Sequence, residues 1–303
     1  MPLHHPLMAS FRCFARMGAN SALALVVSSA ARSADANPPA SRAADALTRP
    51  IAVDLAPRWL VPAGPINIFG STWLVGFTHL NVVMIVTDDG LIMIDAGLPQ
   101  AAPLVEASLK SAGFSIQDVK YILSTEPHYD HAGGIAALAS ASGAKVMASA
   151  AAAPVLRAGR SGAEDPQRSS LFTYPSVSRV TVVRDGQRIR LGNVVVTAHA
   201  TPGHTPGSMS WSWSSCTRSA EGDVHTCTDI VFAASLNSLT DGTYRYSEHP
   251  AVVRKFHQSF ATMRMLPCDI LITGHPEHPA GKKSWLSCAA IRMAIARAEH
   301  ARL

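Results

Sequence analysis

The segment Thr125-Glu126-Pro127-His128-Tyr129-Asp130-His131-Ala132-Gly133-Gly134 constrains this chain more than any other. Glu126, His128, Asp130 and His131, four side chains able to bind a metal ion, fall within six residues. They follow Val119–Ser124, an apolar run that reads as a buried strand, and precede Gly134–Ser142, a small-residue run that reads as a helix. In an irregular turn at a strand end, residues 126 and 128 can point one way while 130 and 131 project to an adjacent point. Such a turn can serve two cations close together, as two-metal hydrolytic sites require. Gly133 and Gly134 let the next helix begin close to that point. The competing reading is a polar loop with Asp130 as a helix cap and solvated histidines, and it needs no such density of ligands.

Two later stretches supply partners. Pro202-Gly203-His204-Thr205-Pro206-Gly207 fixes one histidine in a rigid frame, and the apolar run Asp269–Thr273 delivers Gly274-His275-Pro276 directly from a strand. His275 is preferred to His278 because it follows the strand and Gly274 at once. His79, His199, His225, His249, His257 and His300 are assigned to structural hydrogen bonds or the surface. Imidazole and carboxylate without thiolate is the donor set of hydrolytic zinc. No flavin-binding region or second carboxylate-bridged motif supports iron-based oxygen reduction instead.

Asn81–Thr87 and Leu91–Asp95 read as a hairpin around Asp88-Asp89-Gly90. Pro103–Ala112 carries helical spacing, Ala144–Ala148 is a strand, and 154–178 reads as a loop-rich divide. Three short strands span Arg179–Ala198, and Ser208–Ser214 alternates so that Met209, Trp211 and Trp213 share a face. Asp229–Ala234 reads as strand, Ala251–Met265 as helix, and Ser284–Ala301 as a terminal helix. Strands followed by helices in each half, with no regular βαβ rhythm, predict an α/β (α+β) chain of two packed sheets with helices outside.

Residues 1–36 run from basic to apolar to small, with Ala34-Asp35-Ala36 as an A-x-A site, and are read as a signal peptide. Residues 37–65, rich in proline, are read as an extended arm, and 66–303 as one domain. The formal charge of +5 includes Arg12, Arg16 and Arg32 against Asp35 in the leader, and the remainder forms no Lys/Arg block. Nucleic acid is therefore excluded as a partner, as is a membrane once the leader is removed. The chain is expected to act as a monomer in the periplasm or outside the cell. Beyond Cys13, four cysteines admit three pairings. Nearest neighbours, Cys216 with Cys227 and Cys268 with Cys288, are favoured; four free thiols in a cytosolic protein are the alternative.

From about Trp59 to about Cys288 the sequence resembles the metallo-β-lactamase superfamily, and within it the class B, subclass 3 metallo-β-lactamases. The resemblance lies in Glu126/His128/Asp130/His131 set against an H-x-H-x-D-H motif, in Thr201–Ser208 (TPGHTPGS), and in the late His275. It also lies in Gly159, Glu164-Asp165-Pro166, Arg184-Asp185-Gly186 and Trp211-Ser-Trp213. It implies an αββα sandwich, with two mixed β-sheets face to face and a disulfide where Cys268 and Cys288 lie. It implies two Zn²⁺ ions, the first on Glu126, His128 and His204, the second on Asp130, His131 and His275. Ser235 stands where glyoxalase- and lactonase-like relatives carry a metal-bridging aspartate and other lactamase subclasses a cysteine ligand. The implied activity is hydrolysis of the β-lactam amide by a metal-bridging hydroxide oriented by Asp130, with Ser235, Asn237 and Ser238 near the substrate carboxylate. Hydrolysis of a lactone, thioester or phosphate ester, or zinc binding without catalysis, are the alternatives. Trp59 and the loop from Leu156 to Asp165 are expected either to wall the groove or simply to pack. The departure is Glu126, which replaces a histidine. Two zinc ions, two carboxylates and a hydroxide sum to about +1 where a histidine would leave +2, which predicts a weaker Lewis acid.

Overall fold

The computed structural model describes residues 46–218, 223–276 and 285–288, all within one compact unit. The leader assigned to residues 1–36 lies outside the described residues. Strands β1 (Ile66–Phe69), β2 (Thr72–Leu74), β3 (Val83–Thr87), β4 (Gly90–Ile94), β5 (Val119–Leu123), β6 (Lys145–Ser149) and β7 (Val180–Val183) form a seven-stranded sheet in sequential order. Its first three pairings are antiparallel and its last three parallel. The second sheet runs β13 (Trp285–Ser287), β12 (Ile270–Thr273), β11 (Val224–Ala233), β10 (Met209–Arg218), β9 (Val194–Ala200), β8 (Arg188–Leu191). Only β11 with β12 is parallel there, so both sheets are mixed.

Alternation along the strands explains the layering. Val83 and Ile85 of β3, with Ile92 and Ile94 of β4, face Val196, Met209, Trp211, Trp213 and Phe232 across the inter-sheet core. Met84 and Met93 point the other way, to a core shared with α2 (Ala102–Ser111), α4 (Ile135–Ser142) and α5 (Ala152–Ala158). The outer face of the second sheet, Val231, Ala233 and Leu271, is covered by Phe256, Phe260 and Met263 of α6 (Pro250–Met265). Each fully buried aliphatic or aromatic side chain contributes about 1.5–3 kcal/mol relative to exposure, so sheets apolar on both faces need helices on both sides. The expected αββα sandwich is the observed architecture.

Trp211 and Trp213 share a face as expected. Each indole N–H finds an acceptor, the Ser124 carbonyl at 3.3 Å and Thr72 Oγ1 at 2.9 Å. The first of these bonds ties the second sheet to the end of β5, directly before the ligand-rich turn.

Three regions differ from the sequence reading. The interval 154–178 begins inside α5, because Pro154 sits in the first helical turn, where its missing N–H has no partner to lose. The stretch assigned to a terminal helix opens instead as β13, which pairs with the free edge of β12 from Ile270 to Ile272; residues 289–303 lie outside the described residues. Of the proline-rich arm, the described residues 46–65 hold one helical turn, α1 (Ala56–Trp59). Leu47, Ile51, Val53 and Trp59 pack on the helix-side core. Both nearest-neighbour disulfides are formed, Cys216–Cys227 across the β10–β11 ladder and Cys268–Cys288 between the start of β12 and the end of β13. Among the described residues no helix is long and apolar enough to cross a membrane.

Candidate metal centre

The site lies where β5, β9, β11 and β12 end on one edge of the sandwich. After β5, Ser124 and Thr125 lead into a turn, and α3 (Tyr129–Ala132) starts with His128 in an extended conformation. Glu126, His128, Asp130 and His131 are all buried. His204 follows β9 and His275 follows β12. The structure gathers Glu126, His128 and His204 into one triad and Asp130, His131 and His275 into a second, with the candidate ligand atoms of each within 4.8 Å of one another. The triads touch. Glu126 Oε1 lies 2.9 Å from His131 Nε2 and 3.8 Å from His204 Nε2, and Asp130 Oδ2 lies 2.9 Å from His275 Nε2.

Outer partners decide which nitrogen each ring offers. A carbonyl only accepts, so His204 donates from Nδ1 to the Asn237 carbonyl at 3.0 Å, and His275 donates from Nδ1 to the His79 carbonyl at 3.2 Å. Both rings then turn Nε2 inward. His131 Nδ1 meets Asp95 Oδ2 at 3.3 Å, again leaving Nε2. His128 is the reverse, with Nε2 on Asp165 Oδ2 at 2.9 Å and Nδ1 left free. Glu126 has no N–H to give; it accepts from Ser235 Oγ at 2.9 Å and from the Ser235 N–H at 3.2 Å. Partners of this kind fix ring orientation and raise ligand basicity at metal sites.

Asp95 anchors the turn. It is the first residue after β4 and holds φ at 61°, a conformation that costs free energy for a residue with a Cβ. That twist points its buried carboxylate at the Thr125 N–H (2.8 Å), the Thr125 hydroxyl (2.6 Å) and His131. Gly274 serves the same close packing from the other side: a Cβ there would strike the His131 ring.

The electrostatics are those of interleaved acids and bases. Burial alone would lower His131, but Glu126 and Asp130 beside it lift the imidazole well above its ordinary value. Burial would raise Glu126, yet His131 and His204 hold the carboxyl well below the usual range. Asp130 is likewise lowered, against burial, by His131 and His275. His128 is raised because Asp165 and Glu126 outweigh its burial, while His204 is lowered because burial outweighs Glu126. Ionised carboxylates packed among imidazoles that hold their protons until a cation displaces them are the donor set of a cation site.

All six residues expected to hold metal are thus brought together, and His79 enters the site through its carbonyl. Ser235 and Asn237 line a cleft of about 330 Å³ beside the triads; Ser238 is exposed and is not among the lining residues. Trp59 walls that cleft, its ring 5.2 Å from that of His275, and it also packs on the core, so both readings of it hold. Sequence reasoning gave Asp95 and Gln167 no role, and placed Asp165 only in a stretch carrying the resemblance and at the end of a loop expected to wall the groove or pack, not as a partner of His128. Gln167 Nε2 lies 3.1 Å from His204 Nε2. The usable signal was a lone carboxylate closing the apolar run Leu91–Asp95.

Residues 75–275 match the family described as the metallo-beta-lactamase superfamily. Among solved structures, the chain is similar to a B3 metallo-β-lactamase described as the first with an active-site glutamic acid. Identity is 45%, over 86% of this chain and 97% of that one, at a TM-score of 0.79. The MIM-1 metallo-β-lactamase of Novosphingobium pentaromativorans is 37% identical over 81% of this chain and 91% of its own, at a TM-score of 0.71. Among curated proteins, a hydroxyacylglutathione hydrolase of Rhodospirillum rubrum is 28% identical over 58% of this chain and 55% of that protein. The chain spans about half the length of the curated relatives it matches.

Proposed function

The chain belongs to the metallo-β-lactamase superfamily, and on that premise we propose that it is a zinc-dependent β-lactam hydrolase of the B3 type with Glu126 as a metal ligand. The observation that carries the reading is the convergence of six imidazole and carboxylate side chains into two adjoining triads, with a serine, Ser235, at the end of β11. Similarity to B3 enzymes over nearly their whole length, one of them described as carrying an active-site glutamic acid, supports it.

The residues present fit zinc. A tetrahedral ion with bonds of ~2.1 Å spaces its ligands about 3.4 Å apart, a spacing both triads can reach, and the donor set is that of hydrolytic sites. Glu126, His128 and His204 would hold the first ion, and Asp130, His131 and His275 the second. Zinc in such sites polarises a carbonyl and lowers the pKa of water towards ~7.

This chain's own residues do the rest. Asp130, kept ionised by His131 and His275, presents a carboxylate that can orient an attacking water. Trp59 and Tyr129 give the cleft an aromatic side, and Phe172 packs edge-on against Tyr129. Gln167 and Asn237 offer amides to a polar substrate. Of the residues expected near the substrate carboxylate, Asn237 is exposed at the cleft, whereas Ser235 is already committed to Glu126. Export to the periplasm or beyond goes with this reading, supported by the A-x-A leader and the two disulfides.

A second reading, hydrolysis of a hydroxyacyl-glutathione thioester, is favoured by the names of the curated relatives. Ser235 in place of an acidic residue speaks against it. Purified protein assayed on a chromogenic cephalosporin and on such a thioester, with and without chelator, decides. Chelator-sensitive cephalosporin turnover supports the proposal. Turnover of the thioester alone overturns it in favour of the second reading, and zinc uptake with no turnover of either overturns both.

A further inference from the structure

We infer that Ser235 is the positioning residue for the Glu126 carboxylate and thereby sets zinc affinity at the first triad; the inference rests on the metal-centre reading above. Glu126 is wholly buried and both its oxygens are engaged by the same residue, Oε1 by the Ser235 hydroxyl at 2.9 Å and Oε2 by the Ser235 N–H at 3.2 Å.

The donors are themselves fixed. Ser235 follows β11, and the N–H of its neighbour Ala234 is held at 3.1 Å by Ser210 Oγ, which pairs in turn with Thr201 Oγ1 at 2.9 Å. A hydroxyl and an N–H therefore stand at defined points against a side chain with three torsions.

An imidazole needs a different arrangement. At a metal site it offers one nitrogen to the ion and donates its other N–H to an outer acceptor. A glutamate has no N–H, so only donors can orient it, and Ser235 supplies two. A carboxylate or thiolate at position 235 would instead face Glu126 with like charge. The hydroxyl and N–H of Ser235 thus suit the carboxylate of Glu126, and the loss of the hydroxyl should release a flexible side chain.

The test uses the full chain and zinc alone, titrated against a competing chromophoric chelator, with cobalt absorption spectra as a second readout. Ser235→Ala is expected to weaken the first zinc step roughly 10- to 100-fold, to alter the cobalt spectrum of that site, and to leave the second step unchanged. Ser235→Thr, which keeps both donors, should restore affinity and spectrum. In a Glu126→His background Ser235→Ala should change first-site affinity by no more than roughly twofold. An unchanged affinity and spectrum in Ser235→Ala, or the same loss with histidine at 126, would overturn the inference, the latter by exposing a merely structural role. Wild-type protein that binds no zinc would overturn the metal-centre reading and this inference together. Two tightly bound ions indifferent to Ser235→Ala would overturn this inference alone.

Discussion

The second triad is braced by the core, the first by loops. His131 is aligned by Asp95 at the end of β4, a residue with no exposure, and His275 by the carbonyl of His79, within a segment stitched to β12. The Asn81 N–H donates to the Gly274 carbonyl at 2.8 Å, and its amide to the Thr273 carbonyl at 2.8 Å. His128 depends instead on Asp165 and His204 on Asn237, both on segments flanked by exposed residues, and Glu126 on Ser235 just past the end of β11. Those two loops are joined to each other by Asp241, which accepts from Ser169 and donates its N–H to the Pro166 carbonyl at 3.0 Å. Opening free energy is lowest where buried apolar contacts are few, so the first site should be the easier of the two to empty.

The largest expected effect is also the least selective. Asp130→Ala removes a ligand and the water-orienting carboxylate together, and should cost on the order of 10²–10³-fold in turnover with one zinc lost per chain; a metal count beside the cephalosporin assay reads both. The sharper test sets two outer partners against each other. Asp95→Asn should weaken the second site and Asp165→Asn the first, each about 10- to 100-fold, in stepwise zinc titrations. If both variants weakened the same site, the division between core and loops would be wrong.

Glu126→His should narrow the difference between the sites. It restores one unit of positive charge, and a several-fold rise in turnover with an acid-shifted pH profile is expected. Unchanged zinc stoichiometry and turnover would make the glutamate neutral. The smallest effect concerns protons. Without metal, the raised His131 is protonated at pH 7, and the stability it lends is complete below ~6.5 and lost as pH rises through its elevated value. Zinc requires the neutral ring, so binding at pH 7 should release protons and affinity should fall on acidification. Calorimetry in two buffers of different ionisation enthalpy measures the release; identical heats would count against it.

Much of this centre was legible in the linear chain. The six ligand candidates sit beside strand ends in short stretches framed by proline and glycine, where a polar cluster is conspicuous. The tryptophans of β10 declared their face by alternation. The bracing residues were not legible in the same way. Asp95 and Asp165 lie 36 and 37 positions from the histidines they orient, and beyond Asp95's place at the close of an apolar run neither carries a local pattern that separates it from a solvated carboxylate. The same limit explains β13, whose strand character comes from an open edge on β12 and not from its own residues. It also explains α5, which runs into the interval 154–178 read as loop-rich, with Pro154 at a harmless first-turn position.

Gly274 bears on how this protein can change. Because a Cβ at that position would collide with the His131 imidazole, any larger amino acid there must displace that ring, so this side of the candidate centre is closed to substitution. The rims near Gln167 and Asn237 carry no such restriction. Change around the cleft would therefore be tolerated along the two flanking loops, the very segments that carry the outer partners of His128 and His204.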